Sequence, residues 1–222
     1  MAGLATSGTL THWFRDTLAV GTDFPTLVAE AQASPKGAKG LLCLPYFSGE
    51  RTPIHDPHAR GAFFGLNLTH SRGDMFRAVV EGIAAGTAHV LETFAEAGAS
   101  PAQVMAVGGG TKNKVWAQAT SDISGKTQIV RQKTVGASYG DAFLAAYAVG
   151  DVKIDAIRDW NPVEYDFNPR LEYATLYKDK FKIFREYIPK NRSSDLELKF
   201  NLLAMKQIHQ KCVLQTFRKD DR

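Results

Sequence analysis

No run of about 18 apolar residues occurs in the chain, which excludes a transmembrane helix. Met1–Thr9 carries no basic stretch followed by a long apolar core, so it does not read as a signal peptide. Cysteine is scarce: Cys43 and Cys212 stand far apart in no metal-ligand spacing and read as reduced thiols of a cytoplasmic protein. There is no internal repeat and no low-complexity tract. The glycines at 108–110 do not have the Gly-x-Gly-x-x-Gly spacing of a dinucleotide fold, and no Gly-Lys-Ser/Thr follows them as in a P-loop. The main body also lacks a charge excess. Residues 190–222 hold 8 Lys/Arg against 4 Asp/Glu, while the first 189 residues hold 19 of each. The net charge of +4 therefore belongs to the tail, and the body gives no electrostatic case for nucleic acid.

What is present is the composition of an ordinary globular domain, 44% hydrophobic and 23% charged over 222 residues. Val104–Gln118 reads as a short apolar strand, three glycines at 108–110, and the opening of an amphipathic helix. Such a turn gives a ligand access to bare backbone, and first-turn N–H groups with the helix dipole favour an anion, most simply phosphate. A tight turn needing glycine only for its φ angles is the equal alternative.

Around it, Thr6–Thr9 reads as a small-residue loop opening a helix through Leu10, Trp13, Phe14 and Leu18, and a second helix is expected over Phe24–Ala33. The abrupt start suggests that residue 1 lies inside a longer parent protein. Strands are expected within Gly40–Phe47 and Gly61–Leu68, separated by the ionisable loop Ser48–Gly61. A long helix starts after Ser71, with Asp74 completing a capping box, and buries Met75, Phe76, Val79, Val80, Ile83, Val90, Leu91 and Phe94 at i, i+3, i+4 intervals before stopping at Gly98. Further on, a helix over Lys114–Ile123, a strand at Gln128–Val130 and a helix over Ala142–Val149 give strand, helix, strand, helix, which argues for parallel pairing in an α/β layer. Residues 151–168 read as an extended surface strap and Arg170–Tyr187 as a charged amphipathic helix. Past Pro189, Asn191–Ser194 reads as a linker and Leu196–Phe217 as a basic helical segment.

Within the loop, Glu50, Arg51, His55, Asp56, His58 and Arg60 crowd together. The His-Asp-Pro-His spacing fits no zinc pattern. A Glu/Asp–Arg network holding the loop, or docking it on another lobe, is the expected role, and no metal-ligating set is assigned. Glu81 follows Arg77 by four residues on a helix, the spacing of a local ion pair. Trp13 and Trp116 are expected in the core.

Four ordered stretches resemble the FGGY family of carbohydrate kinases (xylulose, glycerol, gluconate and ribulose kinases) over roughly residues 3–188. They are Thr6-Ser-Gly-Thr9; Phe47-Ser-Gly-Glu-Arg-Thr-Pro-Ile-His-Asp-Pro-His-Ala-Arg-Gly61; Gly61-x-Phe63-x-Gly65-Leu66 with Asp74-Met75-x-x-Ala78-Val79-Val80-Glu81; and Val107-Gly-Gly-Gly-Thr-Lys-Asn with Trp116. Gly136–Gly140 and its Ala-rich helix are similar to the family's closing segment.

The resemblance implies a ribonuclease-H-like lobe of the actin-like ATPase superfamily, α/β with a mixed sheet flanked by helices. It makes residues 1–189 the C-terminal, nucleotide-binding lobe and 190–222 a basic tail. ATP would lie between lobes, with Mg²⁺ held mainly through its phosphates. Gly109 and Gly110 would pack against the adenosine and α-phosphate, Asn113 near the adenine or ribose, Gly8 and Thr9 at the β/γ-phosphates, and Thr69 close to the same phosphates. Lys114 departs from the asparagine that glycerol kinases carry.

The sugar site, the Asp-x-Gly-Thr loop and the catalytic aspartate belong to the family's N-terminal lobe, so no catalytic residue is assigned here. The partners expected are ATP/ADP and, through that other lobe, a sugar; neither nucleic acid nor membrane is expected, and a homodimer is left open. The Gly-Glu-Arg-Thr-Pro form of the loop leans towards the xylulose branch. The competing reading is a stand-alone interaction module with a vestigial nucleotide site.

Overall fold

The long helix is the frame. In the computed structural model, which describes residues 4–188, it runs over Arg72–Glu96 (α3). Its start is the capping box expected from Ser71 and Asp74: the Ser71 hydroxyl accepts from the Asp74 N–H, and the Asp74 carboxylate accepts from the Ser71 N–H. Past Glu96 the chain leaves through Gly98 at φ +82°.

Two glycines let backbone approach α3 closely. A Cβ at Gly82 would lie 2.3 Å from the carbonyl oxygen of Cys43, and one at Gly73 2.7 Å from that of Glu30. These contacts seat α3 on the strand Leu42–Leu44 (β1) and on the helix Phe24–Ala33 (α2). The helix Gly8–Leu18 (α1) closes the same core, in which Phe14, Leu27, Leu41, Phe76, Val79 and Ile83 are fully buried. Burial along α3 ends near Ala88: Val90 and Leu91 are half-buried and Phe94 is 36% exposed, so the stripe read as core is one turn too long. Trp13, expected in the core, is 38% exposed and packs its ring on Phe47.

β1 pairs antiparallel with Ala62–Phe64 (β2), Leu42 opposite Phe64. A second sheet is mixed. Gln103–Ala106 (β3) runs parallel to Thr127–Arg131 (β4), as the alternating order requires, with the helix Lys114–Ser124 (α4) as the crossover. α4 ends at Gly125 in the left-handed region, φ +66°.

The helix after Gly136 spans Ala137–Ala148 (α5), starting earlier than the alanine run suggests. The strap is more structured than its composition indicates: a short helix Ile157–Trp160 (α6) precedes a strand, Val163–Phe167 (β5), antiparallel to β4 with an irregularity at Val130/Arg131. β5 is a strand that the strap reading passed over: Val163, Tyr165 and Phe167 alternate with Glu164 and Asp166, the period-2 pattern of a half-buried strand. Ala174–Tyr187 (α7) then returns across β1 and α4. Among the described residues no helix is long and apolar enough to cross a membrane. The basic segment 190–222 lies outside the described residues.

α3 and α7 are locked by one buried carboxylate. Glu81 Oε1 accepts from Arg77 Nε at 2.9 Å, from the Gly37 N–H at 3.0 Å and from the Tyr177 hydroxyl at 3.0 Å, while Oε2 accepts from Lys180 Nζ at 2.7 Å. The expected Arg77–Glu81 pair is thus one edge of a four-donor hub.

Candidate functional site

The three glycines do not open α4 directly. Gly108 takes φ +87°, ψ −175°, a conformation essentially confined to glycine. Its N–H donates to the carbonyl of Thr134, and its own carbonyl accepts from the Thr111 hydroxyl at 2.8 Å. Gly109–Lys112 then form one 3-10 turn, and Asn113 caps α4 by accepting the Trp116 N–H on Oδ1 at 3.1 Å. The two glycines on the turn face different surroundings. A Cβ on Gly109 would meet nothing within 4 Å, whereas one on Gly110 would lie 3.0 Å from Cζ3 of Trp116. Gly109 therefore borders open space, and Gly110 is backed by an indole ring.

The other wall is α1. Gly8, Thr11, His12 and Arg15 recur at i, i+3, i+4 and i+7, so one helix face carries all four. They line a cleft of about 710 Å³ with Gly109, Gly110, Lys112, Asn113 and Trp116, closed at the back by Phe24, Pro25 and Val28 of α2. That volume falls in the roughly 300–1,000 Å³ range of small-molecule sites. A second hollow of about 450 Å³ adjoins it, and Gly8, Gly110 and Trp116 border both.

The cleft combines three chemistries. Its back is apolar and aromatic. Its rim carries Lys112 and Arg15, the guanidinium of Arg15 lying 4.7 Å from the centroid of the Phe24 ring and its Nε donating to Asp16 Oδ1 at 2.7 Å. Its floor is backbone: Ser7 makes no side-chain cap, so the first N–H groups of the 11-residue α1 at Gly8 and Thr9 are left for a ligand or solvent. No carboxylate lines either hollow.

Gly8, Gly109, Gly110 and Asn113, singled out in sequence, thus come together on one cleft. Thr9 is exposed beside Gly8 at the start of α1. Thr69 stands outside the cleft wall, its hydroxyl donating to Asn67 Oδ1 at 2.7 Å. Sequence reasoning missed His12, Arg15, Lys112 and the α2 wall, and assigned Trp116 to the core. The i, i+3, i+4, i+7 spacing from Gly8 was the signal for the α1 face. Nothing local in Phe24–Val28 marks it as a wall, because that role arises only when α2 packs on α1 and α4.

The ionisable loop behaves as scaffold. Glu50 accepts the N–H groups of Ala5 and Arg51, and Asp56 accepts that of His58, so these carboxylates close the loop on main-chain donors. Among the described residues no group of three His, Cys, Asp or Glu could hold a metal ion.

A sequence model described as "FGGY family of carbohydrate kinases, C-terminal domain" matches residues 1–149. The xylulose kinase of Bacillus subtilis (strain 168) is 33% identical over 189 residues, covering 84% of this chain and 38% of that protein. The chain thus spans well under half the length of the curated relatives it matches. Among solved structures, ligand-bound xylulose kinase from Lactobacillus acidophilus superposes with a TM-score of 0.79 at 26% identity, over 89% of this chain and 40% of that one. Plasmodium falciparum glycerol kinase with ADP gives a TM-score of 0.72 at 22% identity, over 83% and 37%. The mixed sheet with flanking helices is the lobe of the actin-like ATPase fold that the resemblance implied.

Proposed function

The chain belongs to the FGGY family of carbohydrate kinases, and on that premise we propose that its cleft grips ATP or ADP as the C-terminal half of a sugar kinase. The observation that carries the proposal is the convergence of Gly8 with Gly109, Gly110 and Asn113 on one cleft. In this reading the nucleotide's base and ribose lie against Trp116, Phe24, Pro25 and Val28, and bare backbone at Gly109 and Gly110 admits them without a Cβ. The phosphates run towards the uncapped N–H groups of Gly8 and Thr9, with Lys112 balancing their charge. That a glycerol kinase of this fold was solved with ADP supports the choice of ligand.

Phosphoryl transfer to a sugar hydroxyl needs positioning, electrostatic stabilisation and a base to take the hydroxyl proton. The cleft supplies the first two for the donor. It offers no carboxylate for the base and no cluster for a metal. Mg²⁺, which neutralises charge on the β/γ-phosphates when bound, would arrive on the nucleotide and not on these side chains. Acceptor and base fall to the family's N-terminal lobe, and residues 4–188 act as the nucleotide half. Xylulose is the acceptor favoured by the names of the first relatives.

Mixed with the N-terminal lobe of a family xylulose kinase, the chain is expected to release ADP from ATP only when xylulose is present. Gly110→Val, which drives a side chain into the Trp116 ring, is expected to abolish that release. Unchanged turnover in Gly110→Val overturns the site.

A further inference from the structure

The Ser48–Gly61 loop lines neither hollow, yet it holds the chain that leads into α1. Three anchors follow one another over residues 4–6. Leu4 packs on the main core. The Ala5 N–H donates to Glu50 Oε1 at 2.8 Å. The Thr6 hydroxyl donates to the carbonyl of Pro45. Two residues later α1 begins at Gly8.

The loop that makes the second of these contacts, through Glu50, is itself closed. Glu50 and Asp56 exchange main-chain hydrogen bonds of 2.8 and 2.9 Å. A Cβ at Gly49 would lie 2.4 Å from the carbonyl oxygen of Pro57, so that turn admits glycine alone.

Glu50 is 2% exposed, and its two oxygens are used unequally. Oε1 accepts from Ala5 and, at 2.7 Å, from the Arg51 N–H. Oε2 is buried without a hydrogen-bond partner, as is the hydroxyl of Tyr46. A buried carboxylate with an idle oxygen carries a desolvation penalty. The Glu50–Asp56 pairing is main-chain, and of the two donors to Oε1 the Arg51 N–H lies within the loop and the Ala5 N–H outside it. What the carboxylate adds beyond its own loop is its hold on Ala5. Burial pushes the Glu50 carboxyl up, against the lowering effect of the Ala5, Arg51 and Thr52 N–H groups and the Arg51 charge. Burial and the neighbouring Glu50 charge together push the Tyr46 hydroxyl up.

We propose that Glu50 is a positioning residue for the phosphate-facing turn: by fixing Ala5 it aims the N–H groups of Gly8 and Thr9 and so sets the affinity for the phosphate-bearing part of the nucleotide. The proposal rests on the nucleotide reading of the cleft. It separates two contributions in one ligand, because the base wall on α2 and Trp116 does not touch Glu50 while the start of α1 depends on it. Glutamine keeps the Oε1 acceptor and the shape, whereas alanine removes the hold.

The test compares the 222-residue chain as wild type, Glu50→Gln and Glu50→Ala, titrated with ADP and with adenosine, alongside hydrogen exchange of residues 4–11 without ligand. Wild type and Glu50→Gln are expected to bind ADP at least about tenfold more tightly than adenosine, roughly 1.4 kcal/mol. Glu50→Ala is expected to lose that advantage with its adenosine affinity retained, and to exchange faster over 4–11 with α3 still protected. An ADP advantage retained in Glu50→Ala, or unchanged exchange over 4–11, overturns the inference alone. A wild type with no preference for ADP overturns the phosphate reading and the inference with it. Should Glu50→Ala not fold, Glu50→Asp, one methylene too short to reach Ala5, carries the same expectations.

Discussion

At the scale of single residues, adjacent glycines are present for different reasons. Gly108 is set by its backbone angles, Gly110 by the Trp116 ring behind it, and Gly109 by the open cleft in front of it. Only Gly109 can be changed without disturbing the fold, since a methyl there meets no protein atom within 4 Å. Gly109→Ala is therefore expected to leave the melting temperature within about 1 °C of wild type, an effect of a few tenths of a kcal/mol. It should weaken ADP binding by about tenfold through intrusion on the ligand, some 1.4 kcal/mol. Thermal melts and a binding isotherm on the same sample check both halves. The glycine run was legible in sequence as a ligand-facing turn or a plain tight turn, and no local rule could divide the labour among its members. That division depends on Trp116, whose indole reaches back under Gly110 only because Asn113 caps α4 where it does.

At the scale of elements, α3 was the most readable part of the chain, because cap and stop agree and the apolar stripe overruns the buried face by only one turn. Its cap also carries a pH signature. Asp74 is 1% exposed. Burial pushes its carboxyl up, but Lys39, Ser34 and Ser71 donate to it and together hold it well below the usual carboxylate range. A depressed folded value adds stability that is present above the ordinary aspartate value of about 3.9 and is lost as pH falls below it. The wild-type melting temperature is expected to drop on acidification through that region, and Asp74→Asn to show a shallower drop from a lower plateau.

The opposite sign holds at Glu50. Its raised carboxyl contributes stability that is present in acid and lost as pH rises through and above the ordinary glutamate range, so Glu50→Gln is expected to melt no lower than wild type at pH 7. Glu81 was legible only as a partner of Arg77, since Gly37, Tyr177 and Lys180 reach it through tertiary packing. Glu81→Ala strands buried donors on α3 and α7 and is expected to lower stability by about 3–5 kcal/mol in denaturant unfolding. β5 was legible in the alternation of Val163, Tyr165 and Phe167 with Glu164 and Asp166, but so short a run between Pro162 and Pro169 also reads as a strap, and its pairing with β4 shows it to be a strand.

At the scale of the whole molecule, two structural parts meet at the cleft. α1, α2 and α3 with β1 form the main core, and α4 with the mixed sheet carries the glycine turn to it. The motif order along the chain disclosed the family and, through it, the fold; the walls of the cleft required the packing of α2 and α4 to be seen. On this account the molecule holds a nucleotide without a base to use it, so the chain alone is expected to release no ADP from ATP in the presence of xylulose. The central claim is nucleotide binding in the cleft of Gly8, Gly109, Gly110 and Asn113, and titration calorimetry of Mg-ADP into the isolated chain tests it most directly. The account predicts a saturable heat with one nucleotide per chain; no heat at millimolar ADP would contradict it.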